Sequence, residues 1–129
     1  MRKTYFPLIA AIGWFIISII LLTLPGSAFP KENWFDKIWL DKWIHIGMFA
    51  IMVWLWCMSL VSLGPNKSLQ KLKQHFIATA ILCLGYGIAM EFIQKSFVSF
   101  RSFDAGDIVA DAVGCIVGLI FSTRRYIKK

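Results

Sequence analysis

The stretch LIAAIGWFIISIILLTL, residues 8–24, contains no charged side chain. Its length approaches the ~20 residues that an α-helix needs to cross a ~30 Å hydrocarbon layer. Three further apolar runs follow at residues 43–63, 76–93 and 108–121, and their acidic or basic side chains are His45, Glu91 and Asp111. The pattern therefore predicts four membrane-spanning helices, at about residues 7–24, 42–63, 75–95 and 105–123.

The composition of the chain points to the same class of protein. Of its 129 residues, 58% are hydrophobic and 16% are charged, and one soluble domain of that length could not bury so much apolar surface. The alternation of apolar and polar residues that marks membrane-spanning β-strands is absent. We therefore predict an all-α fold, an integral membrane bundle of four transmembrane helices in which residues 1–129 form a single domain.

The first apolar run has one alternative interpretation as a cleaved signal peptide. Arg2 and Lys3 precede it, and Gly26-Ser27-Ala28 resembles a cleavage site. The apolar part of a signal peptide usually spans about 7–15 residues, and this run is longer. We therefore expect that the segment is retained as the first transmembrane helix.

Basic residues are distributed unevenly between the two sides of the predicted membrane. Nine of them, without any acidic residue, lie on the side of the termini and the second loop: Arg2, Lys3, Lys67, Lys71, Lys73, Arg124, Arg125, Lys128 and Lys129. The other side carries five basic residues and all seven acidic residues. Because cytoplasmic loops carry the excess of Lys and Arg, both termini are predicted to be cytoplasmic. The net charge of +7 then reflects topology and attraction to anionic lipids, and it does not indicate a nucleic-acid partner.

Three segments that are separated in sequence bring polar side chains to the predicted outer end of the bundle. They are the start of the second helix, the end of the third and the approach to the fourth, with Asp41, Lys42, His45, Glu91, Gln94, Arg101, Asp104, Asp107 and Asp111. At about 100° per residue, positions 104, 107, 111, 114 and 118 fall on one face of the fourth helix. An ionised acid that faced lipid would cost several kcal/mol, so these acids are predicted to face the bundle interior.

Small residues share the helix faces that carry the acids. Gly114 and Gly118 form a GxxxG pattern after Asp111, which predicts close packing against another helix. In the second helix Asp41 and His45 lie one turn apart, and a carboxylate there would orient the imidazole and raise its basicity. The sequence therefore predicts a small polar cup that faces outward above a tight helix crossing.

Between residues 41 and 118 the polar residues form three motifs, which are Asp41-Lys42-x-x-His45-x-x-x-Phe49, Glu91-x-x-Gln94 and Arg101-x-x-Asp104-x-x-Asp107-x-x-x-Asp111-x-x-Gly114-x-x-x-Gly118. Together these motifs resemble the VanZ-like family of small bacterial membrane proteins. The namesake of that family accompanies glycopeptide resistance gene clusters and gives low-level resistance to teicoplanin, a lipidated glycopeptide. The resemblance implies a location in the bacterial cytoplasmic membrane and a role in the cell envelope. Asp111 departs from the family, which often has Asn there, and adds an acid to the cup.

Three roles for the polar cup stay open at this point. The cup can be a structural network in which Arg101, Lys42 and Lys95 neutralise the acids. It can bind an amphiphile such as a membrane lipid, a lipid-linked cell-wall precursor or a lipoglycopeptide, and the family resemblance favours this role. It can be catalytic, although no nucleophile motif indicates an enzyme; the candidate catalytic residues are then His45, Glu91 and Asp107.

The aspartates differ in how readily a simpler role explains them. Asp104 and Asp107 suit the first turn of a helix, where an acid caps the backbone and complements the helix dipole, whereas Asp111 lies too deep for capping.

No cofactor motif and no metal-binding spacing of Cys and His occurs in the chain. Neither a cofactor nor a metal is therefore predicted.

Overall fold

The computed structural model describes residues 5–23, 40–63, 68–97 and 105–127. These residues form four helices, α1 (Phe6–Thr23), α2 (Leu40–Leu63), α3 (Leu69–Phe97) and α4 (Ala105–Tyr126). Each helix is long and apolar enough to cross a membrane. The predicted all-α fold with four such helices is therefore confirmed, and α1, α2 and α4 begin and end within three residues of the predicted limits.

Helix α3 is longer than predicted, because it begins at Leu69 and not near residue 75. Ser68 caps its start, since the Ser68 hydroxyl accepts a hydrogen bond from the Lys71 backbone N–H at 3.2 Å. The turns that follow are polar, so a search for apolar runs does not find them even though Gln and Lys favour helices. With 29 residues, α3 is about 43 Å long and exceeds the thickness of the hydrocarbon layer.

Helix α2 lies at the centre of the bundle and contacts the other three helices, most extensively α4. The two helices run parallel, since Gly114 lies against Ile46 and Gly118 lies against Ala50. A Cβ atom on Gly114 would collide with the Ile46 carbonyl oxygen, and one on Gly118 would stand 2.6 Å from the Ala50 carbonyl oxygen. The GxxxG pattern therefore lets α4 approach the backbone of α2, as predicted.

The distribution of apolar side chains over the described residues is the one expected of a membrane-spanning bundle. The core is small, and its largest fully buried apolar side chains come from α2 and α3: Phe49, Met52, Val53 and Phe76. Many other large apolar side chains are exposed, and only 22% of the apolar stretch of α1 is buried. Because exposed apolar surface of this extent is unfavourable in water, the four helices have the surface of a multi-pass membrane protein.

Two hydrogen bonds join the second half of α1 to the second half of α3. The hydroxyl groups of Ser18 and Tyr86 are 2.8 Å apart, and Gln94 Nε2 donates to the Leu22 carbonyl oxygen at 2.5 Å. The ends of α1 and α3 thus come together at the end of the bundle where α2 and α4 begin. We call this end the polar end.

Candidate functional site

Six of the predicted site residues lie at the polar end. They come from three helices, and we name them the polar cluster: Lys42 and His45 of α2, Glu91 and Gln94 of α3, and Asp107 and Asp111 of α4. Five of the six are buried, and Lys42 is partly buried. The structure therefore brings residues that are far apart in sequence into one small, largely solvent-excluded volume.

The imidazole of His45 lies between the two carboxylates of α4. Its Nδ1 atom is 2.8 Å from Oδ1 of Asp111, and its Nε2 atom is 3.9 Å from Oδ2 of Asp107. When Asp111 is ionised, its carboxylate only accepts hydrogen bonds, and Nδ1 of His45 is then the donor. Asp111 thereby fixes the orientation of the ring, while Nε2 faces Asp107 across a distance that is too long for a hydrogen bond.

Lys42 lies one turn before His45 and forms an ion pair with Asp107. The Lys42 Nζ atom is 2.8 Å from Oδ1 of Asp107, which is not the oxygen that faces His45. The side chain of Lys42 is 21% exposed, whereas that of Asp111 is 2% exposed, so the Lys42 pair is the one nearer to the rim. Two polar contacts therefore join the first two turns of α2 to those of α4, the same helices that the glycines bring together.

Helix α3 contributes a buried carboxylate and also the space for another. Glu91 is 2% exposed, and its carboxylate acts electrostatically on His45. One turn earlier, a Cβ atom on Gly87 would stand 2.6 Å from Oδ2 of Asp111 and 3.0 Å from the ring of Phe49. Gly87 therefore provides the space in which the Asp111 carboxylate fits between α3 and α4.

Aromatic side chains lie one turn deeper in the bundle than the polar cluster. The ring of Tyr86 is 5.9 Å from that of Phe49 and 4.8 Å from that of Phe15, measured between centroids. The Tyr86 hydroxyl bonds to Ser18. Sequence reasoning did not identify Tyr86 and Ser18 as neighbours of the site. The available signals were a serine inside an apolar run and a tyrosine between two glycines.

Three predicted site residues are not covered by the described part of the chain. Arg101 and Asp104 lie outside the described residues, and the side chain of Asp41 is likewise outside them. The predicted contact between Asp41 and His45 therefore stays a prediction. The carboxylate that contacts His45 Nδ1 within the described part is that of Asp111, 66 residues away in sequence.

The chain matches no protein-family model, no curated protein and no solved structure.

The polar cluster combines hydrogen-bond acceptors and cationic donors in a small volume. Carboxylates of α3 and α4 accept hydrogen bonds, and Lys42 at the rim donates them. Such a set can hold a head group with hydroxyl, amide or amine groups, and an imidazole oriented by a carboxylate can also act as a general base. Within the four described helices and their flanking residues, no group of three or more His, Cys, Asp or Glu side chains has the arrangement of a metal site.

Proposed function

We propose that this chain is a multi-pass protein of the bacterial cytoplasmic membrane whose polar cluster binds the head group of an amphiphilic cell-envelope ligand. The ligand class comprises membrane lipids, lipid-linked cell-wall precursors and lipoglycopeptides of the teicoplanin type. The observation that carries the proposal is the grouping of buried charged side chains from separate apolar helices at one end of the bundle. Ionisable residues inside membrane bundles are costly, and they commonly mark functional sites.

The chemistry of the described side chains suits such a head group. Carboxylates accept hydrogen bonds from sugar hydroxyls and peptide amides, and Lys42 at the rim can donate to a phosphate or carboxylate. The contacts between α2 and α4 hold these groups in place before a ligand arrives, which lowers the entropic cost of binding. The resemblance to the VanZ-like family gives further support, because the namesake of that family gives resistance to a lipidated glycopeptide.

One observation favours a second function, which is catalysis on a lipid-linked substrate. The carboxylate of Asp111 at Nδ1 of His45 orients the imidazole and stabilises its protonated form, as in a general base. Nε2 of His45 would then take the proton from a water or hydroxyl group that attacks the substrate.

The same contacts also support a purely structural role, in which the Lys42–Asp107 and His45–Asp111 pairs clamp α2 to α4. This role differs from ligand binding in its consequence for Glu91. In a structural network Glu91 affects only the stability of the bundle, whereas in a binding site its charge is needed for the activity of a protein that is still folded. Removal of that charge without a change in size therefore distinguishes the two.

Both termini are expected on the cytoplasmic side, because the nine basic residues on that side are accompanied by no acidic residue. A phosphatase that is active only outside the cytoplasm should be inactive when it is fused after Lys129. The same phosphatase fused after Ser99 should be active. An active Lys129 fusion would overturn this orientation and would place the polar cluster on the cytoplasmic side.

Expression in a susceptible Gram-positive host is expected to raise tolerance to teicoplanin more than tolerance to an unlipidated glycopeptide. The lipid tail anchors teicoplanin at the outer head-group level, where the polar cluster is proposed to lie, and anchoring raises its local concentration. Glu91→Gln keeps the size of the side chain but removes its charge, and should return tolerance to that of the host alone. Lys73→Gln removes a charge at the opposite end of α3 and should leave tolerance unchanged.

The measurement is the minimum inhibitory concentration of both drugs, with the amount of folded protein in the membrane checked for every variant. Equal tolerance to both drugs, or full tolerance with Glu91→Gln, would contradict binding at the polar cluster. Mass analysis of lipids recovered with the purified protein separates the two functions. An intact ligand supports binding, and a cleaved ligand supports catalysis.

A further inference from the structure

A cavity of about 510 Å³ lies between α1, α2 and α3, beyond the aromatic side chains and away from the polar cluster. Helix α2 forms its floor with Met52, Trp56 and Leu60, and α1 and α3 form its walls. Toward the polar end, α1 and α3 are joined through Ser18 and Tyr86. The cavity is therefore a cleft between the remaining parts of α1 and α3, and we call it the apolar groove.

Ser59 and Thr79 line the apolar groove, and the hydroxyl group of each already has a hydrogen-bond partner. Ser59 Oγ donates to the Leu55 carbonyl oxygen at 2.9 Å, and Thr79 Oγ1 donates to the His75 carbonyl oxygen at 2.8 Å. Both hydroxyl groups thus bond within their own helices, and the other lining side chains are predominantly apolar. A groove of this chemistry suits a hydrocarbon chain better than a polar ligand.

The length of the apolar groove matches one leaflet of a bilayer. Its lining on α2 extends from Met52 to Leu63, a rise of about 16 Å at ~1.5 Å per residue. One leaflet contributes about half of the ~30 Å hydrocarbon thickness. A single acyl chain from the leaflet that faces the start of α1 would therefore fill the groove along its length.

Basic side chains lie where the head group of such a lipid would be. Lys71 is exposed and precedes Thr79, which lines the groove, by two helical turns or about 12 Å. His75 lies between them, and its Nδ1 atom donates to the Lys71 carbonyl oxygen at 2.7 Å. Arg124 and Arg125 lie in the last turn of α4, at the same end of the bundle. Cationic side chains at this level attract anionic head groups.

We propose that the apolar groove binds one acyl chain of an anionic phospholipid, and that Lys71 contacts the phosphate of its head group. This site is separate from the polar cluster, so a negative result at one site does not contradict the function proposed for the other. It would hold a structural lipid between α1 and α3 at the end of the bundle opposite their Ser18–Tyr86 and Leu22–Gln94 hydrogen bonds.

Native mass spectrometry of the purified full-length chain, in detergent with equal amounts of phosphatidylglycerol and phosphatidylcholine, tests the proposal. The protein should retain one phosphatidylglycerol with a preference of roughly fivefold, the effect of about one Lys contact. Thr79→Trp fills the groove and should weaken retention roughly tenfold, the effect of losing about two buried methylene groups. Ala78→Trp adds the same side chain at the adjacent exposed position and should have no such effect.

The head-group contact is tested by Lys71→Glu, which should abolish the preference for phosphatidylglycerol, with Lys73→Glu as the matched control that keeps it. Equal retention of the two lipids by the unmodified protein, or equal effects of the two tryptophan variants, would overturn the proposal. Should Thr79→Trp fail to fold, phosphatidylglycerol with brominated chains provides a second measurement. The brominated lipid should quench the tryptophan fluorescence of the unmodified protein more than that of Trp56→Phe, because Trp56 lines the groove. Equal quenching of the two proteins would likewise overturn the proposal.

Discussion

Replacement of Gly114 by leucine is expected to prevent normal assembly of the bundle, because α4 could no longer approach α2. A single Cβ atom at this position would already collide with the Ile46 carbonyl oxygen and would stand 3.0 Å from the Cβ atom of Phe49. A backbone oxygen cannot move aside as the end of a flexible side chain can, so α4 would have to shift as a whole. We expect a loss of ~1–3 kcal/mol from overpacking alone, measured as the free energy of unfolding in detergent.

The same shift would separate the charged side chains of α4 from their partners on α2. Lys42 and Asp107, and likewise His45 and Asp111, are in contact at 2.8 Å only because the two helices are close. The total loss for Gly114→Leu should therefore exceed the overpacking cost, since buried charges would also lose their partners.

Gly85→Leu provides the matched control for this prediction. A Cβ atom on Gly85 would have no neighbouring heavy atom within 4 Å, and the residue is exposed. The free energy of unfolding of Gly85→Leu should therefore differ from that of the unmodified protein by less than ~0.5 kcal/mol, as for other surface substitutions. An equal loss in both variants would show that the cost arises from the loss of glycine itself and not from the contact between α4 and α2.

A second large loss of stability is expected for His45→Ala, because the substitution leaves a carboxylate buried without its donor. Asp111 is 2% exposed, so its carboxylate depends on neighbouring side chains and not on bulk water for its hydrogen bonds. Removal of one partner from a buried ion pair costs about 3–5 kcal/mol. The double variant His45→Ala/Asp111→Ala should be more stable than His45→Ala, since the unpaired charge is then absent.

The measurement is a thermodynamic cycle of the unmodified protein, the two single variants and the double variant in one detergent. If the losses of the single variants simply add in the double variant, the contact between His45 and Asp111 contributes no coupling energy and the prediction is wrong. Asp111→Asn should lose less than Asp111→Ala, because the amide oxygen still accepts the proton of His45 Nδ1.

The four described helices and the approximate limits of three of them could be predicted, because each contains an apolar run of nearly the length that crosses a hydrocarbon layer. The same reasoning missed the start of α3, since the six residues from Leu69 to Gln74 include four polar ones that extend the helix beyond that layer. Their helical state follows from local propensity and from the Ser68 cap, neither of which changes the hydropathy of the segment.

The position of the six described site residues at one end of the bundle could be predicted, but their pairing could not. Asp41 was the predicted partner of His45 because it lies one turn away, whereas the described contact is with Asp111. That contact depends on the parallel packing of α2 with α4, which is set by the fit of Gly114 and Gly118 against the α2 backbone. A GxxxG pattern identifies the face of a helix that packs closely, but it does not identify the partner helix.

In the multi-pass arrangement that we propose, Lys42 and His45 enter the membrane well before the carboxylates that they contact, which follow 65 and 66 residues later in the chain. Helices α1, α2 and α3 can associate in that interval, but the first turn of α2 still lacks both aspartates. Insertion of α4 then supplies the close-packing glycines and the acids in a single step. In that arrangement, a nascent chain that stops before Ala105 would leave Lys42 and His45 inside the membrane without the two carboxylates that they contact.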